Sequence, residues 1–212
     1  MKNLIWLSFF LASLFMIACQ PPVTFDKPQP ADIPPAGRFP ARYQGKYQSM
    51  ADNSILEINP NSIIRNSCYE EKIHLSQLDS SMQLIGDTLF DLVSSRGSAV
   101  QIEGDSIVRN ITEIDTLFKI DALNVLKKYK GYYFINIFTM PANWQVQKLG
   151  FSRGKLTMSS INTTEDIEQL KALTESTQDS IPYVFSPTQK QFKKFVKDDG
   201  FRDAETFSRV RE

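Results

Sequence analysis

A chain of 212 residues with one histidine and two cysteines offers few groups for catalysis or metal binding. His74 stands alone in Lys72-Ile73-His74-Leu75. A zinc site built on imidazole needs two or three, and no Gly-x-Ser-x-Gly elbow supplies a serine for which His74 would act as base. Paired acids occur at Glu70-Glu71 and Asp198-Asp199. Neighbours on a strand point to opposite faces, and the second pair ends a helix beside Gly200, so neither gives the converging carboxylates that glycoside hydrolysis requires. Asp87, Glu103 and Asp105 fall in expected hairpin turns, where aspartate serves the backbone. No glycine-rich phosphate loop occurs. The expectation is a non-enzymatic protein with no catalytic residue, no metal and no cofactor.

The strongest chemical mark is on a cysteine. After Lys2 the chain runs apolar from Leu4 to Ile17, broken only by Ser8, Ala12 and Ser13. A bilayer-spanning helix takes roughly 20 residues, whereas the core of a cleaved signal peptide takes about 7 to 15, which this run fits. It ends in Leu14-Phe15-Met16-Ile17-Ala18-Cys19, which resembles the lipobox of bacterial lipoproteins, with Met16 where leucine is usual. The resemblance implies that residues 1–18 are a signal peptide removed before Cys19, and that Cys19 carries acyl groups such as palmitate. Each buried methylene contributes about 0.8 kcal/mol, so two or three chains hold stably where one holds marginally. Gln20, in place of an aspartate, implies the outer membrane; the lack of an acidic cluster after it implies the periplasmic side. With Cys19 acylated, Cys68 has no disulfide partner, and it is expected as a small buried apolar residue.

Residues 19–40 hold seven of the eleven prolines, at 21, 22, 28, 30, 34, 35 and 40. After the lipidated cysteine this stretch reads as a tether. Extended at about 3.1 Å per residue, it would hold a domain up to roughly 60 Å from the lipid. The folded part is then residues 41–212, a length suited to a single β-rich domain. A formal net charge of zero gives no global field for nucleic acid.

From Ala41 to about Ile120, short β-favouring runs alternate with turn residues, as at Gly86-Asp87 and Gly104-Asp105. Asp121 to Lys130 reads as a short helix, capped by Asp121 and ended by Gly131. Strands follow near 132–138, 143–150 and 155–161. A helix near 164–175 is signalled by Ile167, Leu170 and Leu173, and one near 187–199 by the capping box Ser186-Pro187-Thr188-Gln189. The fold class is mainly β with C-terminal helices (α+β), an antiparallel meander forming a barrel or a sandwich. Gln44-Gly45-Lys46-Tyr47 is echoed by Lys130-Gly131-Tyr132-Tyr133; either two similar halves or coincidence accounts for this.

On the last helix, Lys190, Lys193, Lys194 and Lys197 oppose Phe192, Phe195 and Val196. The aromatics are expected to pack on the sheet with the lysines in water; lying on anionic lipid is the alternative. The run from Gly131 to Phe138 is apolar on both alternating faces, so both must be covered, unless part is a binding surface. Its candidate residues are Tyr132, Tyr133, Phe134 and Phe138, with Trp144 downstream. Gly45-Lys46-Tyr47 sits where lipocalins carry glycine and tryptophan before their first strand, so the domain resembles a lipocalin, with tyrosine in place of the tryptophan. That resemblance implies a barrel binding an apolar small molecule or lipid. The leading expectation is a membrane-anchored envelope lipoprotein that binds another envelope component, and the apolar-ligand barrel is its alternative.

Overall fold

The computed structural model describes residues 22–210. The expected signal peptide, residues 1–18, and Cys19 lie outside the described residues. The described residues are mainly β, with a large mixed sheet, a small separate sheet and two helices. In order it forms β1 (Val23–Phe25), β2 (Gly45–Ser49), β3 (Ile55–Ile58), a long β4 (Ser62–His74), β5 (Met82–Ile85), β6 (Thr88–Asp91), β7 (Arg96–Ala99), β8 (Gln101–Glu103) and a long β9 (Ser106–Lys119). There follow β10 (Asn124–Tyr129), β11 (Tyr132–Thr139), β12 (Asn143–Ser152), β13 (Lys155–Ser160), α1 (Thr164–Thr174), β14 (Tyr183–Phe185), α2 (Gln189–Lys197) and β15 (Asp203–Arg209).

The large sheet has the order β10-β11-β12-β13-β15-β2-β3-β4-β9-β8. β1 pairs antiparallel with β12 and parallel with β14, which makes the sheet mixed. β15, a strand the sequence reading leaves out, joins the two meanders by pairing with both β13 and β2. The sheet curls so that Tyr47, Leu56, Ile63, Phe118, Tyr133 and Phe207, drawn from strands along its length, share one buried cluster. A second cluster lies on the other face, where Phe134 and Val146 meet Phe25, Phe185, Leu170 of α1, and Phe192 and Phe195 of α2. The aromatics of α2 thus pack on the sheet: Phe192 stands edge-on to Phe134 with ring centroids 5.5 Å apart. The far halves of β4 and β9 project beyond the curl as an arm, and β5–β7 form the small sheet over Leu89, Val100 and Ile107.

The hydrogen-bonded ladder does not close into a barrel. A loop segment crosses the gap beside β10: Pro35 bridges Lys127, the Ala36 amide donates to the Leu126 carbonyl at 2.7 Å, and the Phe39 amide donates to the Pro60 carbonyl at 2.8 Å. Residues 22–40 are therefore not a tether. Val23, Phe25 and Phe39 are buried, and burying each large apolar side chain contributes about 1.5–3 kcal/mol. Proline lacks a donor and fixes φ, which disfavours helices and central strands but leaves a segment free to cross an edge. The folded unit accordingly takes in residues before 41.

The expected helix at 121–130 is instead a turn and a strand. The Asp121 carboxylate accepts from the Leu123 amide at 2.8 Å and from the Asn124 side chain at 3.0 Å, which folds a turn, and β10 then pairs along β11. Leu126 enters the inner core, while Lys127 and Tyr129 face the other way, a two-residue alternation that tertiary pairing imposes over local helix propensity. The glycine echo is local. Tyr47 and Tyr133, each two residues after a glycine, enter the same core, but Gly45 follows a 3-10 turn at Ala41–Tyr43 while Gly131 sits inside a hairpin turn.

Candidate functional site

The five aromatic candidates do not form one surface. Tyr133 and Phe134, adjacent on β11, point to opposite faces and are buried in the two separate cores. Phe138 and Trp144 are cross-strand partners, with ring centroids 5.4 Å apart and nearly perpendicular, and both are half-buried at the far end of the β11–β12 hairpin. Tyr132 alone keeps substantial exposure, 39 %, and it borders a groove.

That groove, about 640 Å³, runs over the outer face of β11, β12 and β13. Sheet register builds it. On β12, Lys148, Gly150 and Ser152 alternate onto the outer face, and Ser159, Thr157 and Lys155 of β13 lie directly opposite them. Tyr132 forms one side, and the turns Lys130-Gly131 and Arg153-Gly154 form the end. In both turns a cation precedes glycine with both residues at positive φ: 46° and 86° at Lys130-Gly131, 49° and 75° at Arg153-Gly154. These are hairpin turns whose twist matches the strands, but asparagine or glycine fits their first position with less strain than lysine or arginine.

Four cations, Lys130, Lys148, Arg153 and Lys155, line the groove, and no carboxylate, imidazole or thiol is among its lining residues. None of the four is ion-paired among the described residues, although eight other charge pairs form elsewhere. Lys148 is the most confined. Its Nζ donates to the Gly200 carbonyl at 3.0 Å and lies 5.5 Å from the centre of the Tyr132 ring and 5.2 Å from that of Phe201. Burial pushes the Lys148 ammonium below the ordinary lysine range, and the negative charges of Asp166 and Asp199 partly oppose this. Such a lining can bind and orient an anion carrying polar groups.

The single histidine lies on the arm. His74 Nε2 is 2.7 Å from Asp105 Oδ2, and Nδ1 is 2.7 Å from Ser76 Oγ. Because the Ser76 amide also donates to Nδ1, at 3.2 Å, that nitrogen accepts and the proton belongs on Nε2, facing Asp105. The hydrogen bond from His74 holds the Asp105 carboxyl below its usual range. His74 thereby caps the short 3-10 turn Leu75–Gln77, and both partners are open to solvent. Glu71 pairs with Arg109 at 2.5 Å, and Glu70 is exposed beside it. Cys68 is exposed on β4, not buried as expected, because that half of the strand has left the core.

The cationic groove escapes the sequence reading because its parts are far apart in the chain and look ordinary. Lys130-Gly131 and Arg153-Gly154 read as turn punctuation, and Lys148-Gly150-Ser152 reads as the polar side of a strand. The only local signal is the repeated cation before a turn glycine. Comparison with protein-family models, with curated proteins and with solved structures found no match for this chain.

Proposed function

We propose that this chain is a lipid-anchored protein of the bacterial cell envelope, acylated on Cys19 and facing the periplasm from the outer membrane, which binds another envelope component without catalysing a reaction. The anchor rests on the resemblance of Leu14 to Cys19 to a lipobox. The observation that carries the binding reading is the groove with its four cations, none of them ion-paired among the described residues, a concave surface that can hold an anionic ligand. Crosslinking of the full-length chain in intact cells at native expression tests it. A defined adduct with an envelope component is the expected result, and recovery of monomer alone overturns the reading. For the anchor, Cys19→Ala abolishes incorporation of labelled palmitate; continued labelling overturns that part.

A second reading, a lipocalin-like open barrel around an apolar small molecule, draws on the curled sheet and on Gly45-Lys46-Tyr47 at the start of β2, where Arg209 also docks. This arginine donates to the Arg42 and Gln44 carbonyls at 2.7 and 2.8 Å and lies over the Tyr47 ring, fastening the end of β15 to the start of β2. Against it, Phe39, Tyr47, Phe118, Tyr133 and Phe207 pack together inside the curl, in space that such a ligand would need. Native mass spectrometry of the purified chain distinguishes the two: co-purifying lipid favours the barrel carrier, and an empty chain excludes it.

A further inference from the structure

Exposed lysines on a strand face mark nothing by themselves, since they are ordinary surface residues. Three features set these apart. First, Lys130 and Arg153 occupy left-handed backbone positions that favour asparagine or glycine. Backbone of this kind is strained and concentrates at functional positions. Two of the eight non-glycine residues at positive φ among the described residues thus border one groove. Second, the floor between the cations is kept low and polar. Gly150, Ser152 and Thr157 present two hydroxyls and no bulky side chain, while Ser159 is buried. Third, an aromatic ring stands beside this hydroxyl floor: Tyr132 is partly exposed, with the Lys148 ammonium held near it.

Cations complement a phosphate, while a ring and a row of hydroxyls complement a sugar, whose C–H faces stack on aromatics and whose own hydroxyls need partners. We infer that the groove lined by Lys130, Tyr132, Lys148, Arg153 and Lys155 binds a phosphorylated sugar, with the phosphate at the Lys130–Arg153–Lys155 end and the sugar ring against Tyr132 over the Gly150–Thr157 floor. The inference rests on the binding role proposed above and gives that role a ligand class. Phosphate contacts from lysine and arginine are charge-assisted, and the volume of the groove lies in the range of small-molecule sites, roughly 300–1,000 Å³.

The test uses the full-length chain in detergent micelles, titrated with glucose 1-phosphate, glucose, inorganic phosphate and a phosphorylated glycolipid dispersed in the same detergent, with binding followed by ligand-observed NMR. Glucose 1-phosphate is expected to bind at least tenfold more tightly than either glucose or phosphate. Equal binding of inorganic phosphate and glucose 1-phosphate overturns the sugar site, and binding of none of the four overturns the assignment. A preference for the glycolipid over the free sugar phosphate identifies a lipid-borne headgroup as the source; equal binding identifies the soluble unit. Lys130→Asn and Arg153→Asn each remove a cation while relieving its backbone, so each variant is expected to melt at or above the parent temperature and to bind glucose 1-phosphate about tenfold more weakly, the loss of one charge-assisted hydrogen bond. Unchanged affinity in both variants overturns the site. A chain that crosslinks to an envelope protein in cells yet binds no phosphorylated sugar overturns the ligand class and leaves the envelope role standing, whereas crosslinking that yields only monomer removes that role whatever the titrations show.

Discussion

Gln29 and Asn136 exchange two hydrogen bonds: the Gln29 amide donates to Asn136 Oδ1 at 2.5 Å, and Asn136 Nδ2 donates back to the Gln29 carbonyl at 3.0 Å. Both residues are fully buried. A side chain from β11 thereby satisfies the backbone of a proline-rich segment that has no ladder of its own. Removing it strands a buried donor and a buried acceptor. Asn136→Ala is expected to destabilise by about 2–4 kcal/mol, since each orphaned buried group costs about 1–3 kcal/mol. Urea unfolding measures it, and a change below 1 kcal/mol would show that water replaces the side chain.

The same segment sets the limit of the folded unit. A chain starting at residue 41 lacks β1, Phe25 and Phe39, and opens the gap beside β10. Phe→Ala changes in a core cost about 3–5 kcal/mol each, and this truncation removes two such rings, against a typical total stability of 5–15 kcal/mol. Residues 41–212 alone are therefore expected to show no cooperative thermal transition, while residues 22–212 melt as one unit. Circular dichroism of the two chains decides it, and a cooperative melt of the shorter one would overturn the placement of the boundary.

What the sequence made legible follows from range. Elements defined by local patterns were readable: hairpins around Gly86-Asp87 and Gly104-Asp105, and helices near 164–175 and 187–199, although the second is capped by Thr188 with Gln191, two residues beyond the expected Ser186-Pro187-Thr188-Gln189 box. Elements defined by distant partners were not. β15 carries Asp203-Ala204-Glu205-Thr206 before its one buried aromatic, Phe207, and becomes a strand because β13 and β2 offer free edges on both sides. The segment 121–130 has the composition of a helix and the neighbours of a strand, and the neighbours prevail. Proline density suggested a tether, whereas three well-spaced apolar residues, Val23, Phe25 and Phe39, suffice to bury it. The groove was least legible, because strand register alone brings Lys148 opposite Ser159 and sets two turns side by side.

Lys127 gives the N-terminal segment a pH dependence. Its Nζ donates to the Pro28 and Pro30 carbonyls, both at 2.8 Å, and burial pushes its pKa below the ordinary lysine value, with Asp32 partly opposing. The folded chain therefore releases this proton at lower pH than the unfolded chain. Between the folded value and the unfolded value of about 10.4, the unfolded state holds more protons, so this residue makes stability rise with pH in that window. Below the folded value the full cost of the buried charge is present. Lys127→Met is expected to remove that rising contribution, so that the difference between parent and variant changes with pH on the alkaline side and levels off at lower pH. Thermal midpoints across the alkaline range check the sign. A parallel pair of curves would mean that the ammonium is solvated in the folded state.

Gly150 separates stability from binding at the groove. It sits inside β12 with an ordinary strand backbone, where glycine is unfavourable because it gains most freedom on unfolding and packs no side chain. A methyl group there would meet only the Tyr132 ring, at 3.5 Å and 3.6 Å, which is normal van der Waals contact. Packing therefore gives no reason for glycine at this position, and an open floor beneath the groove does. Gly150→Ala is expected to stabilise the chain by about 0.5–1 kcal/mol and to weaken glucose 1-phosphate binding, because the methyl rises into the space between Tyr132 and Thr157. Melting temperature and affinity measured on the same preparation give the two readouts. A rise in stability with unaltered affinity would place the sugar elsewhere, and a fall in stability would show that the Tyr132 ring cannot accommodate the methyl.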